Sequence, residues 1–186
     1  MNKIYFITGN EGKVHEAKEK FKHLHISLIQ KNLGYPEIQT ESLEEVAKFG
    51  ALHVLKQHIT HAFILEDAGI FIDALKGFPG VYSAYVYHTI GLKGILQLLI
   101  HEKNRSATFK SIYAYASHEE EIKIFSGECK GTITTEEKGN KGFGYDPIFI
   151  PEGFKTTFAE MDTNEKNTCS HRGKSLEKLF TFLIDK

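Results

Sequence analysis

Short apolar runs exchange along this chain with stretches whose apolar residues return every three to four positions, the signature of strands alternating with amphipathic helices. Lys3 to Thr8 reads as a first strand, apolar through Ile7 and broken at Thr8-Gly9-Asn10-Glu11-Gly12-Lys13. A helix follows with Val14, Ala17 and Phe21 on one side. Ser27 to Gln30 suits a second strand. Tyr35-Pro36-Glu37-Ile38-Gln39 suits a loop, because proline turns its predecessor away from helix. Ser42 to Gln57 is the clearest helix, opened by the S-x-x-E spacing of a capping box at Ser42 and Glu45. Phe63-Ile64-Leu65 is a continuous apolar run suited to a strand covered on both faces. It is expected to stop at Glu66 and Asp67, with Ile70 to Ile72 extended beyond. Gly77-Phe78-Pro79-Gly80 marks a tight turn, Val81 to Tyr87 is aromatic-rich, and Gly91 to His101 is an apolar helix. Thr108 to Ser117 and Ile122 to Ile133 form a hairpin about His118-Glu119-Glu120. A last amphipathic helix opens at Ser170, with Leu176, Leu179, Phe180 and Leu183 inside.

The pattern predicts an α/β fold with no linker, repeat or low-complexity segment, so residues 1–186 read as one domain. Acids number 24 and Lys plus Arg 23, a formal charge of −1, without the basic excess of a non-specific nucleic-acid binder. Cys129 and Cys169 are too far apart for a C-x-x-C pair, which excludes a disulfide scaffold or a cysteine zinc site. The N-terminal apolar run is too short for a signal peptide, and none approaches membrane-spanning length. A soluble cytoplasmic protein is expected.

Chemistry concentrates at three places. Strand, glycine-bearing loop and helix over Thr8–Lys13 would aim backbone N–H groups and a helix N-terminus at an anion, with Lys13 as a point charge. A plain strand-to-helix turn explains that loop almost as well. Glu66 and Asp67 point to opposite faces if the strand runs on, so they cannot share one role. Asp67 is read as the one facing a cleft and holding a divalent metal, against the alternative of a solvated acidic turn. Glu37, beside a rigid proline, is a carboxylate held still. The histidines His53, His58 and His61 lack the H-E-x-x-H spacing of a zinc helix and read as surface or structural. Finally, Lys138 to Pro147 sets Phe143 and Tyr145 among Gly139, Gly142 and Gly144, a stacking platform for a base, with Asp146 fixed before Pro147. Lys166, His171 and Arg172 follow as clustered donors.

Together these pieces resemble the inosine triphosphate pyrophosphatase family, hydrolases of non-standard purine nucleoside triphosphates. The matching residues are Thr8-Gly9-Asn10-x-x-Lys13-x-x-Glu16, Pro36-Glu37, Glu66-Asp67-x-Gly69 and Gly77-Phe78-Pro79-Gly80. They continue as Phe143-Gly144-Tyr145-Asp146-Pro147, Phe158-Ala159-Glu160-Met161, Glu165-Lys166 and Ser170-His171-Arg172, in family order across nearly the whole chain. The Tyr35–Gln39 loop and the Leu43–Ala47 helix most resemble archaeal-type members.

The resemblance implies a long mixed β-sheet flanked by helices, two lobes with a central cleft, and a homodimer. It implies that Thr8, Gly9, Asn10, Glu11, Gly12 and Lys13 grip the triphosphate. Glu37 and Asp67 would hold Mg²⁺ (Mn²⁺ being an alternative), with Asp67 the general base. Phe143 would stack on the purine, Gly144, Tyr145 and Asp146 would complete that wall, and Lys166, His171 and Arg172 would read its 6-keto edge. Water would attack the α-phosphorus, releasing a nucleoside monophosphate and pyrophosphate. Ala68 departs from the Ser or Thr common there, for which weaker binding rather than lost turnover is expected. Two other readings compete: a nucleotide-binding or sensing module that does not turn over, and a septum-inhibitor-type pyrophosphatase acting on modified pyrimidine triphosphates.

Overall fold

The computed structural model describes residues 2–22, 26–57, 59–117 and 120–185. Seven strands form one mixed sheet: β1 (Asn2–Ile7), β2 (Ile26–Lys31), β3 (Phe63–Ile72), β4 (Pro79–Gly80), β5 (Ser106–Ser117), β6 (Glu120–Ile133) and β7 (Phe149–Pro151). The order is β2-β1-β3-β5-β6-β7, with β4 on β3. β1 pairs in parallel with β2 and β3, whereas every pairing from β3 through β5 and β6 to β7 is antiparallel. The helices are α1 (Glu11–Phe21), α2 (Leu43–Leu55), α3 (Ser83–Thr89), α4 (Gly91–Leu98), α5 (Thr163–Cys169) and α6 (His171–Ile184).

The alternating faces of the strands are covered by different helices. Phe63, Leu65, Ile112 and Ala114 pack beneath Ala47, Ala51 and Val54 of α2. Phe6, Ile64 and Tyr113 pack against Val14 and Ala17 of α1 and Leu176 and Leu179 of α6. A third apolar cluster joins Ile70 and Ile72 to Ile95, Phe149 and Phe158. The predicted α/β fold, with a mixed sheet flanked by helices, is what the chain adopts. Among the described residues no helix is long and apolar enough to cross a membrane.

Two local expectations change. β3 does not stop at Glu66 and Asp67; it runs on to Ile72, paired with β5 at every position. The strand that ends there is β1, whose Ile7 faces Leu65 before the chain leaves for the loop at Thr8. The two acids are therefore the first residues of β3 beyond the end of its parallel neighbour, where an α/β sheet opens toward ligands. Only half of the expected capping box forms. Ser42 accepts from the Glu45 N–H at 3.3 Å, but the Glu45 carboxylate is bonded by the Thr40 hydroxyl at 2.5 Å. The aromatic-rich stretch after Val81 is the helix α3, whose Val86 fills the third cluster. The last helix opens where expected, with Ser170 capping α6 through the Gly173 N–H at 3.0 Å, and a separate short helix, α5, ends at Cys169 just before it. The hairpin is present, with Ser117 opposite Glu120; His118, Glu119 and His58 lie outside the described residues.

Candidate active site

Beyond the end of β1 a cavity of about 720 Å³ opens, a size that suits a nucleotide. Thr8, Gly9, Asn10, Lys13, Glu37, Asp67, Ala68, Phe143, Gly144, Tyr145, Asp146, His171 and Arg172 all line it. Of the residues predicted for the site, Glu11, Gly12 and Lys166 do not. They line a neighbouring cavity of about 490 Å³ behind the Phe143 ring.

At one end, Asn10 caps α1 by accepting from the Lys13 N–H at 3.1 Å, and its own N–H donates to Thr8 Oγ1 at 3.1 Å. The first turn of an eleven-residue helix thus faces the hollow. Lys13 is not free. Its Nζ sits 2.6 Å from Glu66 Oε2 and donates to the Glu66 carbonyl at 2.8 Å.

Asp67 and Glu66 diverge as strand geometry requires. Asp67 lies on the α2 side, where Tyr35 Oη donates to its Oδ2 at 3.4 Å. Burial, with the like charges of Glu66 and Glu37, pushes the Asp67 carboxyl up to about 6 despite the Lys13 ammonium and the Tyr35 hydrogen bond. Two carboxylates, Glu37 and Asp67, thus share one hollow without enough positive charge between them. An oxygen-only, two-acid pair fits Mg²⁺, which keeps water and phosphate in its remaining positions. Among the described residues no group of three or more His, Cys, Asp or Glu is arranged as a complete metal cage.

At the other end the geometry differs from the expected row of free donors. Lys166 Nζ bonds Glu16 Oε1 at 2.7 Å and Asp146 Oδ2 at 2.6 Å. Arg172 reaches Glu16 Oε2 at 2.7 Å and Glu66 Oε1 at 3.1 Å. Glu66, only 2% exposed, also accepts from Ser111 Oγ at 2.8 Å. Burial works against charge on Glu66, but Arg172 and Lys13 more than reverse it and hold its carboxyl down at about 2. Arg172 and Lys166 do the same for Glu16, which stays below its ordinary value. The result is a closed set of three acids and three cations beneath the cavity floor.

Phe143 lies across this floor, 4.9 Å from Lys166 Nζ and 5.1 Å from Arg172 Cζ. Its loop needs left-handed backbone on both sides, at Gly142 (φ 71°) and Gly144 (φ 61°), which only glycine adopts freely. The Phe143 N–H donates to Asp146 Oδ2 at 2.8 Å, so one carboxylate fixes both the ring and Lys166. His171 stacks on Phe109 at 4.5 Å and 5°. Burial, then the charges of Arg172 and Lys166, push its pKa far down, so the imidazole is neutral at ordinary pH. Among the described residues its Nδ1 is buried on the cavity wall without a hydrogen-bond partner.

Glu16, Glu66, Tyr35 and Phe109 had no role assigned from the sequence. Glu16 and Glu66 carried one available signal, their place inside the quoted motifs. Tyr35 had the same kind of signal, as the first residue of the quoted Tyr35–Gln39 loop, whereas Phe109 carried none, since a strand phenylalanine reads as packing. Lys48, off the apolar stripe of α2, pairs with Glu44 at 2.6 Å and is absent from the cavity wall.

Known proteins resemble this chain over nearly its whole length. A dITP/XTP pyrophosphatase of Thermococcus kodakarensis is 54% identical over 181 residues, covering 97% of each chain. One of Pyrococcus horikoshii is 51% identical over 97% of this chain and 96% of its own. Among solved structures, a HAM1 protein from Coxiella burnetii superposes with a TM-score of 0.87 at 32% identity over the whole of both chains. The match to the Ham1 family runs from residue 4 to residue 182, and the chain belongs to that family.

Proposed function

We infer that this protein is a nucleoside triphosphate pyrophosphatase that hydrolyses non-standard purine nucleoside triphosphates such as dITP, ITP and XTP to the monophosphate and pyrophosphate. The observation that carries the reading is convergence: Lys13, Glu37, Asp67, Phe143, His171 and Arg172 line one hollow. The names of the archaeal relatives argue for turnover and for purines, against a silent binding module or a pyrimidine-directed enzyme.

In this reading the triphosphate lies over the α1 N-terminus, where backbone donors, Thr8 and Lys13 offset its charge. Asp67, held from ionising fully at low pH, accepts a proton from the water that attacks the α-phosphorus. Glu37 and Asp67 would hold Mg²⁺, which when bound supplies Lewis acidity toward the phosphate oxygens. Phe143, with Gly144, Tyr145 and Asp146, stacks on and walls the base. His171 Nδ1 and the Arg172 guanidinium face its 6-keto edge, while Lys166, behind the Phe143 ring, holds Asp146 and Glu16 in place. Adenine presents an amino group there, and each donor left unpaired costs about 1–3 kcal/mol. Phe78, Tyr82, Tyr85 and Ile90 are large exposed apolar groups that support the homodimer the resemblance implies. The reading takes residues 1–186 as one catalytic domain of two lobes, working on the cytoplasmic nucleotide pool.

The test is pyrophosphate release from dITP, ITP, XTP and ATP with Mg²⁺, on the wild type and on Asp67→Asn. The inosine and xanthosine substrates should be preferred to ATP, and Asp67→Asn should lose about 10²–10⁴-fold in kcat with its thermal midpoint retained. Full activity in Asp67→Asn removes Asp67 as base.

A further inference from the structure

Tyr35 stands at the junction of two parts of the site that come from different elements. Its ring is seated on α2: a Cβ added at Gly50 would meet the ring at 2.7 and 2.8 Å, and Leu65 at 3.3 Å. Its hydroxyl donates to Asp67 Oδ2 at 3.4 Å. One residue further along the chain comes Pro36, and then Glu37. Proline leaves little freedom between Tyr35 and Glu37, so a ring fixed on α2 also fixes where Glu37 enters the cavity. Residues 32–42 otherwise carry no helix or strand. One side chain, carried on the same loop as Glu37, therefore reaches both α2 and the Asp67 carboxylate on β3.

We propose that Tyr35 is a positioning residue that sets Glu37 and Asp67 at the separation a divalent cation requires, its ring wedged on the bare backbone of Gly50 and its hydroxyl orienting the Asp67 carboxylate. This rests on the reading of Asp67 and Glu37 given above. It assigns Gly50 a function as well: the glycine is the seat of the wedge, 17 residues before the carboxylate it serves. Groups that orient carboxylates toward a metal are ordinarily felt in metal affinity and turnover together. A tyrosine that merely filled space would be felt in stability alone.

The test compares Tyr35→Phe, Gly50→Ala and Asp67→Asn with the wild type. Tyr35→Phe keeps the ring and removes the hydroxyl. Gly50→Ala keeps Tyr35 and both acids but displaces the ring, and alanine is the better helix former, so the helix itself is not weakened. Three quantities are read: kcat and KM for ITP at saturating Mg²⁺, the Mg²⁺ concentration giving half-maximal rate, and Mn²⁺ affinity of the complex with α,β-methylene ITP by electron paramagnetic resonance. Both Tyr35→Phe and Gly50→Ala are expected to lose about tenfold in kcat and in metal affinity, with KM for ITP within about twofold of wild type. Wild-type kcat and metal affinity in both variants, alongside an inactive Asp67→Asn, overturn the role of Tyr35 and leave the function standing. An active Asp67→Asn instead overturns the reading beneath it.

Discussion

Glu16 holds two buried cations with its two oxygens, and both partners lie far along the chain: Lys166 is 150 residues away and Arg172 is 156. Removing one member of a buried ion group leaves the others charged and poorly solvated, at a cost of about 3–5 kcal/mol. Glu16→Ala should therefore lower the urea midpoint by that equivalent, and weaken substrate binding as Arg172 and Lys166 relax; an unchanged midpoint would show the group to be neutral in sum. No periodic pattern could have revealed this. On α1, Glu16 points away from Val14, Ala17 and Phe21, where an acid ordinarily meets water. Here that side meets α5 and α6. Phe143 and Asp146, by contrast, were legible individually, because glycines and a proline around them announce a constrained loop.

At the scale of elements, the packing of α6 on β6 is backbone against backbone. A Cβ at Gly127 would lie 2.1 Å from His171 O and 2.5 Å from Ser175 N. Gly127→Ala must push the first turn of α6 outward, with an overpacking cost of about 1–3 kcal/mol. Since that turn carries His171 and Arg172, KM for ITP should rise along with the fall in urea midpoint. A fall in midpoint with unchanged KM would separate helix position from base binding. The strongly periodic elements α1, α2 and α6 were readable from their apolar spacing. The stretch that became α3 was not, because Tyr85, Val86 and Tyr87 are residues that favour strands; packing over the third apolar cluster decided the outcome. The separate α5 announced itself only through Asp162, which accepts from the Glu165 N–H at 2.8 Å.

For the whole molecule, the buried acids set the response to pH. Glu66 and Glu16 have folded-state values below the ordinary 4.5 of an unfolded glutamate, Glu66 at about 2. Their contribution is therefore complete above about pH 5 and disappears as pH falls toward about 2, where the folded state must also take up protons. For Glu66 alone this is on the order of 3 kcal/mol. Asp146, raised by burial, acts in the opposite sense and offsets part of it. Between about pH 7 and pH 5, Asp67, raised to about 6, gains stability as it takes up its proton, while His171, buried as the neutral imidazole, loses it, so the two oppose each other. The steep fall in urea midpoint is expected below about pH 5; a flat profile from there to about pH 3 would mean that Glu66 and Glu16 are not ionised in the fold. The order of the motifs was enough to anticipate that distant segments meet in one hollow. That the positive groups at its floor are already partnered was not foreseeable, because salt bridges across the whole chain leave no local trace.

One carboxylate, Glu66, touches both Lys13 and Arg172, which the proposed function puts at the phosphate end and the base end of the groove. The two ends of the groove are thus wired to a common post. Anyone reshaping this protein to accept a different nucleobase will find that altering Arg172 also loosens the grip on the far end, so selectivity and phosphate hold must be redesigned together.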